Sequence, residues 1–185
     1  MQRITAINHE ESTGKAKDLL DGVKAKIGFA PNLMKTLASS PATLEAYLNF
    51  SGALGTTLNA KLREQIALTT AEINGCRYCA SAHSAIGKMS GLDEVAITNA
   101  RRAASDDAKT DAALKFASAL IVSRGKVSPA DYLALTDAGY AEKEITEIVG
   151  NVALNIFTNY FNEVAGTEVD FPVIEFPLAQ ISPTL

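Results

Sequence analysis

A chain of 185 residues with 47% hydrophobic and 21% charged side chains is long enough to close a real core and too apolar to remain unfolded. Its net charge of -4 and pI near 5.2 exclude a general basic attraction to nucleic-acid phosphates or anionic lipid. No apolar run approaches the roughly 20 residues that span a bilayer, and Met1–Glu11 lacks the charged and apolar blocks of an export signal, so the expected location is the cytoplasm.

The predicted elements are all helical. Ser12 is placed to cap a first helix to about Ile27, with Ala16, Leu19, Leu20, Val23 and Ile27 at helical spacing and Gly28 as its stop. A short helix over Asn32 to Ser39 precedes Ser40-Pro41, which opens a longer one carrying Leu44, Tyr47, Leu48 and Leu54. Asn59 caps the next, whose buried side is Leu62, Ile66, Thr69, Thr70 and Ile73. Asn74-Gly75 is a turn dipeptide, so Cys76 falls at the start of a new helix that runs to Gly91.

Asp93 then caps a helix to about Ala103, and Ser105 to Thr110 reads as a polar linker. Ala113, Phe116, Ala117, Leu120 and Ile121 form a further stripe ending near Gly125. Ser128-Pro129 opens a helix to about Ala138. A last one spans Ala141 to about Ala165, with Ile145, Ile148, Val149, Val152, Ile156, Tyr160 and Val164 as its apolar side. No proline interrupts these periodic stretches. The reading is an all-α chain, a single helical domain over 1–185 with its core in about 12–165. The tail 166–185 is too apolar to hang free and is expected to pack on its own domain or on a second subunit. A shift of 83 positions sets Leu62, Glu64 and Ile66 on Ile145, Glu147 and Val149, a hint of a duplicated helical unit, and sets Cys76 and Cys79 on Asn159 and Asn162.

The chemistry concentrates in Cys76-Arg77-Tyr78-Cys79 and His83. The only two cysteines lie three apart and one of two histidines follows four later, so on a helix they share a face. Thiols one turn apart come within bridging reach. An imidazole nearby and the free N–H groups of a first turn both favour a thiolate. Three readings compete. The cysteines could pack as small buried hydrophobes. They could ligate zinc, but Cys76, Cys79 and His83 supply three ligands and His9 lies far off in a segment expected to be mobile. Or they form a redox pair, the reading that gives the shared face a purpose, with no metal and no cofactor. The chain has no Rossmann or P-loop glycine signature, so a nicotinamide or nucleotide is not expected to bind it directly.

Spacing assigns the attack to Cys79, one turn from His83, with Cys76 resolving; the thioredoxin analogy would choose the cysteine nearest the helix start. Tyr78 reads first as a packing aromatic and Arg77 as solvent-facing. Glu64 stands open between an ordinary helix charge and a proton relay with His83, and Glu72 is a rival acid that the Asn74-Gly75 turn directs elsewhere.

Glu64, the Cys76–Cys79 pair after an eleven-residue gap and His83, together with Arg63-Glu64-Gln65-Ile66-Ala67 and Asn74-Gly75-Cys76, resemble the core motif of the alkylhydroperoxidase D and carboxymuconolactone decarboxylase-like family, in its peroxidase-related branch. The resemblance implies an all-α subunit built from a repeated helical unit and a homo-oligomer, a trimer or hexamer. It implies a peroxidase in which Cys79 attacks, Cys76 resolves, and Glu64 and His83 relay protons, with a peroxide as substrate and an external dithiol or disulfide-reducing protein as partner. The chain departs from the best-studied members at Tyr78, where they carry a histidine; a phenol of pKa about 10 cannot act as a base at neutral pH. Two other functions fit less: a carboxymuconolactone decarboxylase-like lyase, which leaves the cysteine pair without a task, and a redox-sensing oligomer module without turnover.

Overall fold

The computed structural model describes residues 1–178. These form nine helices: α1 Gly14–Ile27, α2 Asn32–Leu37, α3 Pro41–Leu54, α4 Ala60–Ile73, α5 Arg77–Met89, α6 Glu94–Arg101, α7 Ala108–Val122, α8 Pro129–Asp137 and α9 Glu142–Ala165. No strand occurs among the described residues. Side-chain caps start five of the helices where the sequence places them. Ser40, Asn59, Asp93 and Ser128 each accept a hydrogen bond from a first-turn N–H, and the thiol of Cys76 does the same for α5. Asp107 caps α7, so the expected linker Ser105 to Thr110 already contains the start of that helix. Thr13, not Ser12, precedes α1, because the Ser12 hydroxyl donates instead to the His9 carbonyl.

The fold is organised around α4, which packs against α5, α6, α7 and α9. Its residues Gln65 to Ala71 are all buried, as a helix enclosed on nearly every side must be. One core cluster joins α4 to α6, α7, α8 and the first half of α9 through Leu62, Ile66, Ile97, Leu114, Leu135 and Ile148. The other joins α1, α2 and α3 to the Cys76–Ala82 stretch, with Leu20, Leu37 and Leu44 fully buried. Thus the cysteines lie in the second cluster.

Three expectations change. The N-terminal segment is not loose: His9 is buried, and its Nε2 lies 2.8 Å from Asp21 Oδ1. On α9 the apolar stripe holds only for Ile145, Ile148 and Val152. Val149, Tyr160 and Val164 are exposed, and the face turned inward carries Asn151, Asn155, Asn159 and Asn162. The 83-residue echo sets α4 on residues 143–156, helix on helix, but the turn at Asn74-Gly75 has no counterpart there, since α9 continues unbroken.

Beyond Gly166 the chain runs extended across α2, α4 and α5, with Val169, Phe171, Ile174 and Phe176 against the second cluster. It is fastened at both ends. Asp170 accepts from the Tyr78 hydroxyl and the Asn32 N–H. Glu72 accepts from the Leu178 N–H, and Arg101 donates to the Glu175 carbonyl. The tail therefore packs on its own helices as far as residue 178; 179–185 lie outside the described residues.

Candidate active site

Backbone chemistry sets the site. Gly75 takes φ +72°, a left-handed conformation that a side chain would strain, and so ends α4 and reverses the chain into α5. Cys76 becomes the cap residue of α5 and its Sγ accepts from the Cys79 N–H at 3.4 Å. Cys79 sits in the first turn, where unpaired N–H groups favour negative charge. Both cysteines are free and buried, at 0 % and 2 % exposure.

The two sulfurs differ in what they face. Cys79 lines a cavity of about 250 Å³ between α3, α4, α5 and α9, together with Glu64, His83, Tyr47, Arg63 and Asn155. Cys76 is not part of that wall; it is packed in the apolar cluster behind it. The cavity is mixed in character, with Leu33, Leu54 and Leu154 beside the polar groups.

His83, one turn beyond Cys79, places Nδ1 2.7 Å from Glu64 Oε2, which leaves Nε2 as the untied ring nitrogen. The close approach of α5 to α4 that permits this runs over Gly87. A Cβ there would meet Leu92 Cδ1 at 3.2 Å and Glu64 Cβ at 3.9 Å. Both partners keep partial exposure, 23 % for His83 and 16 % for Glu64. Structure thus brings together Cys79, His83 and Glu64, with Cys76 immediately behind.

Electrostatics separate the thiols further. Burial pushes Cys79 up, but the Cys76 thiol, the His83 charge and the amides of Asn162 and Asn159 outweigh it and bring Cys79 down to about 7. Cys76 is pushed well up, by its contact with Cys79 and by burial, and so stays the protonated partner. For His83, burial alone would lower the pKa; the adjacent Glu64 carboxylate overrides it and raises the imidazole above its ordinary value.

The remaining residues singled out in the sequence serve structure. Tyr78 lends its ring to the cavity wall, but its hydroxyl donates to Asp170 Oδ1 at 2.8 Å and accepts from the Leu33 N–H at 3.1 Å. Its ring meets Phe171 edge-on at 5.9 Å. Between the two cysteines this chain thus has a fastener for its tail. Glu72 forms a buried ion pair with Arg101 at 2.8 Å and is no rival acid. Arg77 is exposed, as expected.

The sequence reading missed the amides of α9. Asn151, Asn155 and Asn159 recur every four residues and Asn162 follows three later, so all four share one face; that spacing was the available signal. It was masked by the hydrophobic residues on the opposite face, which turn out to be exposed. Asn162 Nδ2 donates to Cys79 Sγ at 3.2 Å.

Residues 41–121, from the first residue of α3 almost to the end of α7, match the carboxymuconolactone decarboxylase family. Among curated proteins no sequence matches. Solved structures do. The alkylhydroperoxidase AhpD core of a peroxidase-related protein from Ralstonia eutropha JMP134 is 24% identical over 91% of this chain and 92% of its own, with a TM-score of 0.79. A peroxidase-related protein from Silicibacter sp. TM1040 is 24% identical over 90% and 92%, TM-score 0.77. The debrominase Bmp8, as a cysteine-to-alanine variant in complex with 2,3,4-tribromopyrrole, is 22% identical over 90% and 91%, TM-score 0.77. At these identities the structural likeness establishes the common all-α fold. The family match covers the segment that carries both cysteines, His83 and Glu64, and with the shared fold it supports the resemblance to the alkylhydroperoxidase D and carboxymuconolactone decarboxylase-like family.

Proposed function

We propose that the protein is a thiol-dependent peroxidase. The observation that carries this reading is the asymmetry of the cysteine pair: Cys79 faces the cavity with a pKa of about 7 while Cys76 waits behind it as a thiol. In the proposed cycle the Cys79 thiolate attacks one peroxide oxygen. A sulfur–oxygen bond forms as the oxygen–oxygen bond breaks, and sulfur is oxidised to the sulfenic acid. The departing alkoxide or hydroxide takes a proton from His83, which Glu64 holds in place and keeps basic enough to be charged. Cys76 then attacks the Cys79 sulfur. A disulfide forms and the sulfenic oxygen leaves with the Cys76 proton as water. An external dithiol or disulfide-reducing protein returns the pair to two thiols. In this scheme Cys79, Cys76, His83 and Glu64 are the catalytic residues.

The chain is also proposed to work as a homo-oligomer, a trimer or hexamer. Phe50, Phe157, Tyr160 and Val164 on α3 and α9 are exposed apolar side chains that assembly would cover.

The test is consumption of hydrogen peroxide and of cumene hydroperoxide with dithiothreitol as recycling reductant. Turnover that disappears in Cys79→Ser supports the reading; wild-type protein that consumes neither peroxide ends it. The likeness to Bmp8 favours a second reading, in which the same two thiols supply the two electrons that replace an aryl carbon–bromine bond by carbon–hydrogen. Bromide released from a brominated pyrrole without peroxide turnover would select it.

A further inference from the structure

Opposite the cysteines, α9 presents two amides that apolar packing does not explain. Asn159 and Asn162 are 0 % and 3 % exposed, three residues apart on one face. A buried amide without partners is costly, so such groups are normally fully bonded. Here they are not. Asn162 Nδ2 donates to Cys79 Sγ at 3.2 Å, while Asn162 Oδ1 has no partner. Asn159 Oδ1 accepts from Asn74 Nδ2 at 3.0 Å, which fixes the amide plane and leaves Asn159 Nδ2 as a buried donor with no hydrogen-bond partner, near enough to Cys79 to favour its anion. Asn74 itself belongs to the turn that sets Cys76 at the head of α5, so one loop orients both halves of the arrangement.

We propose that Asn162 and Asn159 form an amide donor pair that holds the Cys79 sulfur as its anion, with Asn162 the direct donor and Asn159 the second donor that closes on the sulfur once it is charged. A thiol sulfur is a poor acceptor and a thiolate a strong one, so two N–H donors in a dry site discriminate between the two forms. The donors also select the cysteine: Cys76 packs behind the cavity, and no amide of α9 bonds to its sulfur. Other titratable groups face Cys79 as well: Cys76 at the head of α5, Tyr78 and His83 from α5, Tyr47 from α3 and, across the cavity, Glu64 from α4, while Asp170 of the tail acts on Tyr78. Glu163 acts on Cys76 from α9, and Arg63 lines the same cavity. Of these only His83 and Arg63 favour the anion by charge, and neither donates a hydrogen bond to the sulfur.

The role rests on Cys79 being the reacting thiol of the proposed function, but its test does not depend on turnover. In a Cys76→Ser background one thiol of the pair titrates, and its thiolate is read by ultraviolet absorbance and by the rate of alkylation with iodoacetamide. Asn162→Leu and Asn162→Asp both remove the donor at nearly constant volume. Each is expected to raise the midpoint by about one unit or more, a tenfold or larger loss of thiolate at neutral pH. Alkylation should recover to the parent rate at a pH well above both midpoints, which a merely structural defect would not permit. Asn159→Leu should give a smaller shift of the same sign. If Asn162→Leu does not fold, Asn162→Ser and Asn159→Leu carry the test.

A midpoint that stays or falls in the Asn162 variants overturns the proposal, a fall meaning that the amide accepts from the thiol. Shifted midpoints in a protein that reduces no peroxide would discard the peroxidase and keep the amide pair. Peroxide turnover with unshifted midpoints would do the reverse.

Discussion

Glu64 and His83, nineteen residues apart in sequence and on different helices, form a 2.7 Å carboxylate–imidazole contact in the wall of the cavity that Cys79 also lines. The contact does two things at once. It fixes which ring nitrogen is free, and it offsets the burial that would otherwise strip the imidazole of its proton. Glu64→Gln keeps the shape and removes the charge. The imidazole pKa should then fall, and with it the positive charge that favours the Cys79 thiolate. Peroxide turnover at neutral pH is expected to drop by about ten- to a hundredfold. NMR titration of the His83 ring checks the cause, and an unmoved His83 midpoint would show that Glu64 acts otherwise.

Replacing the cysteines singly should separate their roles. Cys76→Ser is expected to reduce one equivalent of peroxide and stop at a Cys79 sulfenic acid, which dimedone traps and mass spectrometry locates. Cys79→Ser should leave Cys76 unreactive, since that thiol is sealed behind the cavity and its pKa is pushed up. A sulfenic acid found on Cys76 in either protein would reverse the order.

Stability should depend on pH in two opposed ways. Cys79 has a folded pKa of about 7, below its ordinary value of 9.0. The thiolate's contribution is therefore complete above the unfolded value and lost as pH falls through about 7. His83 has a folded pKa above its ordinary value, so its contribution is complete below that value and lost as pH rises through the raised one. The two groups interact and titrate as a pair. Urea unfolding of the reduced protein should show wild type gaining on Cys79→Ser between about pH 7 and 9, by up to ~3 kcal/mol. A parallel pair of stability curves would refute the lowered thiol.

Tyr78 is a fastener, and its loss should be structural. Tyr78→Phe leaves the buried Leu33 N–H without its acceptor and removes one of the two hydrogen bonds to Asp170, the one from Asn32 remaining. The expected cost is about 1–3 kcal/mol. Hydrogen exchange should rise across Asp170 to Phe176 while the rate with peroxide stays unchanged. A large fall in rate without loss of stability would return Tyr78 to the chemistry.

The buried ion pair Glu72–Arg101 anchors the far end of the same tail, because Glu72 also accepts from the Leu178 N–H and Arg101 donates to the Glu175 carbonyl. Arg101→Met strands a buried carboxylate. It should destabilise the protein by about 3–5 kcal/mol, a fall in Tm on the order of 10 °C. Thermal unfolding with Glu72→Gln added should recover much of the loss, since no unpaired charge then remains.

Local signals made most of the helices legible. Ser40, Asn59, Asp93 and Ser128 are caps because a side-chain oxygen within three residues of a free N–H is a matter of sequence neighbours alone. The turn at Asn74-Gly75, and with it the position of Cys76 at the head of α5, is of the same kind. So is the shared face of Cys79 and His83. The inward face of α9 was not legible. Its asparagines are buried only because α5 supplies a sulfur and the α4–α5 turn supplies an amide across the core. Likewise His9 is buried because Asp21 on α1 meets it, and the tail is ordered because Tyr78, Glu72 and Arg101 present partners to it.

The sequence by itself determined that this chain is helical and that two thiols and an imidazole lie along one helix start. Those are consequences of backbone preference and of spacing within a few residues. Only the tertiary structure decided which thiol meets the cavity, that Glu64 reaches His83, and that Asn162 of α9 donates to Cys79. Each of these depends on how separate helices cross, and the burial that makes a polar contact strong exists only after they have packed.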